Sequence, residues 1–321
     1  MTINYKNTLL SAAQITLKNK YLWFFGLFAA FLSNNAGISW RTEKGELWSG
    51  WEKLQSTQIF NISTIKGIGP LIKQDPVGVG INLLILLLIL ALGIFIAWLA
   101  FVSQGALISN VAKLSSGKKT NFQEGLQSGK RFFWPVFFFK IILKAISVGL
   151  LSLLALPFII NLTLNLGFWW LVLYYFITLL IVVLIFIAFY IIRYSMSYAV
   201  IKNARFIDAC KNGWSLFYKN IINSIEAGAI IFLANIAIGF TIIISLFAVA
   251  IPFILVLFVF YKLAVEAAFM FILALMMIII FVLIAWAGAV LTAFNDTFWT
   301  IFFIDLIKGK KNSLIGSLFI K

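Results

Sequence analysis

Gln104, Arg193 and Asp296 are polar side chains inside long apolar stretches, and each lies nine residues before a charged residue that ends its stretch. At 1.5 Å per residue, three helices would therefore present a polar group about 13 Å from a polar end. Ionisable groups at such a depth line ion or solute paths, or they pair and fix the register of the helices. We expect Arg193 and Asp296 to face each other, in either role.

Lys140, Lys144 and Glu226 are three more charged residues within apolar stretches. Two segments of the chain resemble each other at a constant offset of 84 residues, and this offset aligns Glu226 with position 142, between the two lysines. We therefore expect Glu226 to contact one of the lysines. The alternative is that both lysines extend their alkyl stems to the membrane interface.

The residue types that are missing exclude several kinds of site. The chain has no histidine and one cysteine, Cys210. Ser-His-Asp triads, His-ligated zinc or haem and an intrachain disulfide are therefore excluded. No GxGxxG, P-loop or CxxC pattern occurs. We expect no cofactor, no metal site and no enzymatic activity.

The elements that must carry these residues are membrane helices. Hydrophobic residues make up 63% of the 321 residues and charged residues 11%, against about 45–50% and about 25% in soluble proteins. So few charges cannot cover so much apolar surface in water. We predict an all-α, polytopic membrane protein with a single integral membrane domain over residues 1–321.

We predict six transmembrane helices, the first of them short. Pro157 and Pro252 are expected to close the third and the fifth, with residues 253–261 at the outer interface. A polar connector over residues 39–77 forms the long outer loop. The apolar stretches are residues 21–38, 79–112, 132–160, 168–201, 221–250 and 267–306.

A pattern that occurs twice indicates an internal repeat. The segments 122–124 and 206–208 each contain Phe and an acid, with Gly five residues after the acid and Phe four residues later. A repeated pattern indicates copies of one supersecondary unit. We predict three modules, each an amphipathic elbow helix followed by a helical hairpin, the first being divergent. Their approximate bounds are residues 5–112, 118–201 and 203–306.

The elbow helices are basic and amphipathic, which suits the surface of an anionic leaflet. They either sense or shape lipid, or they only anchor the hairpin that follows. The aromatic residues that we expect at the lipid surface are Phe122, Phe133, Phe206, Trp214 and Phe217.

The net charge of +15 follows a positive-inside pattern. With six spans and the N-terminus inside, seventeen of the 25 Lys and Arg residues fall in inner segments and six in outer ones. The sequence therefore predicts cytoplasmic termini and lipids of the anionic inner leaflet as partners. This topology accounts for the basic charge, so nucleic acid is not an expected partner.

Residues 17–28 (LKNKYLWFFGLF) and 206–214 (FIDACKNGW) resemble runs in uncharacterised bacterial and archaeal membrane proteins. Those proteins are similar to the membrane domain attached to some glycerophosphodiester phosphodiesterases. The catalytic barrel of those enzymes, with its histidines, is absent from this chain, so no catalytic residue carries over. The resemblance implies a multi-span helical protein of a prokaryotic plasma (inner) membrane.

Two functions follow from these patterns. The first is a non-enzymatic, lipid-facing protein with a structural or remodelling role, or a membrane subunit of a complex. The second is a transporter or channel for a small solute or ion that uses Gln104, Arg193, Glu226 and Asp296, since internal repeats with polar groups near mid-depth occur in transporters. A polar cavity would favour transport, and a packed core would favour the first function.

Overall fold

The computed structural model of this chain describes residues 5–31, 76–164 and 168–309, in which every regular element is an α-helix. A lipid environment favours helices because each satisfies its own backbone polar groups. The all-α class predicted from composition is confirmed. In chain order, the described helices are α1 Tyr5–Lys18, α2 Tyr21–Ala30, α3 Pro76–Ser115, α4 Phe122–Arg131, α5 Phe133–Leu164, α6 Phe168–Ile201, α7 Phe206–Lys219, α8 Ile221–Lys262 and α9 Glu266–Ile307.

Five of the described helices, α3, α5, α6, α8 and α9, are long and apolar enough to cross a membrane, as expected of a multi-pass membrane protein. The 42-residue helices α8 and α9 are about 63 Å long, against about 30 Å for the hydrocarbon core of a bilayer. The apolar helix α2 has ten residues. The rest of the predicted first span, and the connector up to residue 75, lie outside the described residues.

Pro157 and Pro252 do not end their helices, so these two predictions are wrong. Helix α5 continues past Pro157 to Leu164, and α8 continues through Pro252 to Lys262. A proline removes one backbone donor, but neighbouring groups compensate for this loss more readily in membrane helices than in water. Residues 253–261 therefore extend α8 and do not form a separate interfacial piece.

The chain divides into two compact units. One contains Ser33–Leu99, of which residues 76–99 are described, namely the first part of α3. The side chains in this part are mostly exposed, and the rings of Phe95 and Trp98 stack with their centres 5.9 Å apart. The other unit contains Met1–Leu32 and Ala100–Lys321.

The turn between α3 and α4 has local causes in the sequence. Gly117 takes the left-handed conformation (φ 79°), and the backbone N–H of Lys118 donates to the carbonyl of Lys113 at 3.1 Å. This arrangement is a Schellman motif, which ends a helix. Helix α4 then begins because the side chain of Asn121 accepts a hydrogen bond from the N–H of Glu124 at 2.8 Å.

Glycines bring α4 and α7 against the helices that precede them. A Cβ atom at Gly129 would collide with the carbonyl oxygen of Val102 in α3, and one at Gly213 would collide with the hydroxyl of Ser195 in α6. The two glycines that recur at the 84-residue offset are therefore the contact points of the two short helices.

Helix α1 turns its polar stripe inward. Its ring contact with Phe302 and its hydrogen bond to Thr297 place it across α9. Leu10 and Leu17 are exposed, so the apolar stripe of α1 faces outward, as suits a helix in contact with lipid. The buried residues of α1 are Tyr5, Thr8, Ala12 and Thr16.

Helices α3, α6 and α9 finish at one end of the bundle, where α1, α4 and α7 also lie. We call this the basic end and define it as residues 5–20, 113–131, 202–219 and 305–309. It carries thirteen Lys and Arg residues and three acids. The concentration of positive charge at one end agrees with the pattern seen in the sequence.

Candidate functional site

A buried polar cluster joins α3, α6 and α9. The Nη2 atom of Arg193 donates to Oδ1 of Asp296 at 2.6 Å, and Nε2 of Gln104 donates to Oδ2 of Asp296 at 3.4 Å. Gln104 and Asp296 are buried, and the side chain of Arg193 is 15% exposed. Three residues predicted to share one depth therefore meet, and the expected Arg193–Asp296 pair is confirmed.

Two aromatic rings flank the guanidinium of Arg193. Its Cζ atom lies 5.2 Å from the ring centre of Trp299 in α9 and 5.8 Å from that of Phe189 in α6. A planar guanidinium stacks on aromatic faces and keeps its fork for a carboxylate, which a lysine cannot do. The rings and Asp296 together fix where α6 lies along α9.

Lys140 of α5 lies at the edge of this cluster. Its side chain is half-buried, and its ammonium interacts electrostatically with both Asp296 and Arg193. Lys144, one turn further along α5, is exposed. The cluster therefore brings together side chains from four helices, with two cations and one anion among them.

Several buried polar atoms of Gln104, and of residues next to Gln104 and Asp296 in the sequence, have no hydrogen-bond partner among the described residues. They are Oε1 of Gln104, Oγ of Ser103 and both polar side-chain atoms of Asn295. Such atoms are rare in folded proteins, and each costs about 1–3 kcal/mol if it stays unsatisfied. This feature distinguishes the cluster from a simple ion pair, whose polar atoms would all be matched.

Glu226 does not belong to this cluster, and its predicted contact with a lysine is wrong. The hydroxyl of Tyr5 in α1 donates to Oε2 of Glu226 at 2.7 Å. Among the described residues, neither Lys140 nor Lys144 forms an ion pair with it. Equal depth in two helices does not make two side chains face each other, and here α1 supplies the partner.

Two hydroxyl groups tie α8 to its neighbours. Burial raises the pKa of Tyr5, and its bond to Glu226 raises that pKa further, because a phenolate would face a carboxylate. Tyr194 of α6 bonds to the hydroxyl of Ser224 at 2.7 Å. Since that hydroxyl already donates to the carbonyl of Asn220, Tyr194 is the donor.

Three of the five aromatic residues expected at the lipid surface are exposed at the basic end. Trp214 is 56% exposed, and Phe206 and Phe122 are each a little over one-third exposed. Phe206 stacks on Phe139 of α5 and Phe122 on Phe25 of α2. These rings therefore join α7 and α4 to the bundle while one side of each stays accessible.

The remaining two aromatic residues, Phe217 and Phe133, do not lie on the exposed face of an elbow helix. Phe217 is buried and stacks on Tyr190 of α6, with ring centres 5.7 Å apart. Its predicted place at the lipid surface is wrong, because Phe217 lies with Gly213 on the face of α7 that packs against α6. Phe133 begins α5 and packs against Phe101 of α3.

No protein-family model, curated protein sequence or solved structure matches this chain. The similarity of residues 17–28 and 206–214 to the membrane domain of glycerophosphodiester phosphodiesterases stays a prediction. The function is therefore argued from the geometry of these residues.

Sequence patterns missed Tyr5, Ser103 and Asn295. Tyr5 begins the buried stripe of α1. The spacing of three and four residues in this stripe is visible in the sequence, but most of its members are polar, so the pattern did not indicate a buried face. Asn295 precedes Asp296 directly, so it was detectable as a second polar residue within an apolar stretch.

Within the described residues, no group of three His, Cys, Asp or Glu side chains is placed to hold a metal ion.

Proposed function

We propose that this protein is a non-enzymatic integral membrane protein that acts on lipids of the anionic inner leaflet of a prokaryotic plasma membrane. Its role is structural or membrane-remodelling, alone or as the membrane subunit of a complex, and both termini are cytoplasmic. The observation that carries the proposal is the basic end, where α1, α4 and α7 lie together.

The charge of the basic end suits an anionic membrane surface. Lys118, Lys119, Lys130 and Arg131 around α4 are all exposed. Each Lys or Arg near such a surface contributes about 1 kcal/mol of attraction. The thirteen bases and three acids at this end therefore favour orientation towards the leaflet that is richer in anionic lipid.

Helix α7 supplies the best surface for insertion between headgroups. Ile207, Trp214 and Tyr218 are each more than half exposed, and the bases Lys211 and Lys219 lie among them, also exposed. Exposed aromatic rings with interspersed lysines are typical of helices that lie in the membrane interface. Helix α4 has one aromatic ring, Phe122, and the same number of charged residues as α7.

The close glycine contacts would transmit force between these helices and the spans. Gly129 and Gly213 hold α4 and α7 directly against α3 and α6, so insertion into the leaflet would push on the bundle. In this proposal the Arg193–Asp296 pair is a structural lock that keeps the spans in register against that load.

The proposed architecture is six spans in three modules of elbow helix and hairpin. Its support is the order of the described helices, in which each of α1, α4 and α7 precedes two further described helices, together with the 84-residue sequence offset. In the first module, α2 would begin a span that extends beyond the described residues.

The proposal is tested by reconstituting the full chain into phosphatidylglycerol vesicles and into phosphatidylcholine vesicles and imaging their shapes by cryo-electron microscopy. We expect tubulated or strongly curved vesicles in the anionic lipid. Combined Lys211→Glu and Trp214→Ser changes should abolish the effect, whereas Lys262→Glu, at the other end of α8, should not. Unchanged vesicle shapes with the wild-type protein in both lipids would refute a remodelling role.

A second candidate function is transport of a small solute or ion through the polar cluster. The unpartnered Oε1 of Gln104 and the amide of Asn295 favour it, since they could bind a passing solute. Excess positive charge from Lys140 and Arg193 beside Asp296 suits an anion. Flux assays in proteoliposomes separate the two functions, because Gln104→Leu should stop transport while leaving vesicle shaping intact.

A further inference from the structure

Helices α1, α8 and α9 enclose an apolar groove of about 430 Å³. This volume lies within the range of small-molecule binding sites. The polar side-chain groups among its lining residues are the hydroxyl of Thr16 and the indole N–H of Trp286. The hydroxyl of Thr16 donates to Thr297 at 3.3 Å and so does not point into the groove. Ala13, Ala234 and Ala287, one from each helix, provide the smallest lining side chains.

The groove runs along α8 and α9 away from the basic end, and it starts about thirteen residues from the end of each of these two helices. Its lining on α8 runs from Ala234 to Ile242, and its lining on α9 runs back from Phe294 to Trp286. Each stretch of eight residues rises about 12 Å. Helix α1 covers the end nearer the basic surface, because its first residue, Tyr5, bonds to Glu226 five residues into α8.

Lys6 places a positive charge at this end of the groove. It is exposed and lies four, seven and eleven residues before the lining residues Leu10, Ala13 and Leu17. This spacing puts all four on one face of α1. Helix α1 contains no acidic residue, and Glu226, the carboxylate of α8 that contacts α1, lies on its buried face, where it accepts the hydrogen bond of Tyr5, whereas Lys6 is exposed.

We propose that this groove binds one acyl chain of an anionic phospholipid, whose phosphate is bound by Lys6. The inference rests on the proposed lipid-facing function and gives it a specific site. The acyl chain fills a concavity that side chains leave open and gains dispersion contacts there. Because lipid chains are as apolar as the groove, the charge of Lys6 selects the headgroup.

The test is native mass spectrometry of the purified full chain, titrated with phosphatidylglycerol and with phosphatidylcholine of identical acyl chains. We expect one tightly bound phosphatidylglycerol per chain, preferred about fivefold over phosphatidylcholine by the single added charge. Ala234→Phe and, separately, Ala287→Phe should remove this bound lipid by filling the groove. Ile244→Phe, an exposed position on α8 outside the groove, is the matched control and should retain it.

Lys6→Gln should reduce the preference for phosphatidylglycerol to near parity, and Lys262→Gln, an exposed base at the other end of α8, should leave it unchanged. Retention of the lipid by a folded groove-filling variant, or a preference that survives Lys6→Gln, would overturn the inference. If one groove-filling variant does not fold, the other groove-filling variant and Lys6→Gln still test whether the groove binds the lipid. Bound lipid without vesicle reshaping would refute only the remodelling role, and reshaping without bound lipid would refute only this site.

Discussion

Asp296 and Arg193 stabilise the bundle as a pair, because Asp296 is the one anion in a cluster whose two cations are Arg193 and Lys140. Their 2.6 Å contact pairs the guanidinium directly with one oxygen of the carboxylate. Gln104 adds a donor to the second carboxylate oxygen. The same arrangement could lock the helices in register or form part of a solute path. Mutation measures how much the pair contributes to stability.

Asp296→Asn should destabilise the protein by about 3–5 kcal/mol, since it leaves a buried guanidinium without its counter-charge. The double change Arg193→Asp with Asp296→Arg should recover part of this loss. Both effects are measurable as shifts in the temperature at which the monodisperse fraction is lost on size-exclusion chromatography. Glu124→Gln breaks the exposed pair with Lys113 and should change stability by less than about 1 kcal/mol. Equal effects of Asp296→Asn and Glu124→Gln would contradict the lock.

The bond between Tyr5 and Glu226 gives a pH-dependent prediction. Tyr5→Phe should cost about 1.5–3 kcal/mol at neutral pH, as for other hydrogen bonds to charged groups. The pKa of Tyr5 is raised above its ordinary value of 10.0 in the folded state, so the folded chain holds a proton that the unfolded chain releases above that pH. The stabilisation is therefore fully present below about pH 10 and is lost as the pH rises further.

The measurement is thermal unfolding of the wild type and Tyr5→Phe in detergent between neutral pH and the alkaline range. The stability difference should shrink by about 1.4 kcal/mol per pH unit above pH 10. Tyr218→Phe, which removes an exposed phenol, serves as the control and should show no such trend. A constant difference between wild type and Tyr5→Phe across the range would mean that Tyr5 does not keep its proton.

Three of the short helices, α2, α4 and α7, depend on glycine for their positions. Helix α4 contacts α3 where Gly129 meets Val102, and α7 contacts α6 where Gly213 meets Ser195. Helix α2 similarly approaches α9 at Gly26, where a Cβ atom would collide with the carbonyl of Ala289. Small residues are common where membrane helices cross, because they let the backbones approach closely. Van der Waals packing, and not the hydrophobic effect, drives helix association in a membrane.

Gly129→Ala should therefore destabilise the protein by about 1–3 kcal/mol through overpacking against backbone. Gly239→Ala in α8 meets open space and should be neutral or slightly stabilising, because alanine favours helices by about 0.5–1 kcal/mol over glycine. Thermal stability in detergent compares the two variants directly. A loss of stability of similar size in both variants would contradict close packing at Gly129.

Across the whole molecule, charge is unevenly distributed between the two ends of the long helices. The basic end carries thirteen bases and three acids, whereas the turn between α8 and α9, residues 262–266, carries Lys262 and Glu266. Positive segments are retained on the cytoplasmic side during insertion. The charge therefore predicts an orientation that labelling can test.

Cysteine labelling in a Cys210→Ser background tests this orientation in intact cells. A cysteine at Leu263, in the α8–α9 turn, should react with a membrane-impermeant maleimide from outside. A cysteine at Ser116, in the exposed turn after α3, should react only after lysis. Burial raises the pKa of the native Cys210 thiol, and its replacement removes the remaining background. External labelling of both positions, or of Ser116 alone, would refute cytoplasmic termini.

The sequence by itself determined the class of the protein and the depth of its polar groups. Apolar length set helices α3, α5, α6, α8 and α9, since a lipid environment requires long, internally bonded segments. Counting from charged ends placed Gln104, Arg193 and Asp296 at one level, and they meet. The depth of a polar group can be counted from the sequence because charged residues mark the end of a helix at the water interface. The rise per residue of a helix is fixed.

Only the tertiary structure decided which way each helix faces. Glu226 meets Tyr5 instead of a lysine, Phe217 turns inward, and the apolar stripe of α1 faces outward. In a soluble protein, hydrophobic periodicity marks the buried face. In a membrane, lipid and the protein interior are equally apolar, so rotation about the helix axis leaves no such pattern, and close packing of specific side chains decides it.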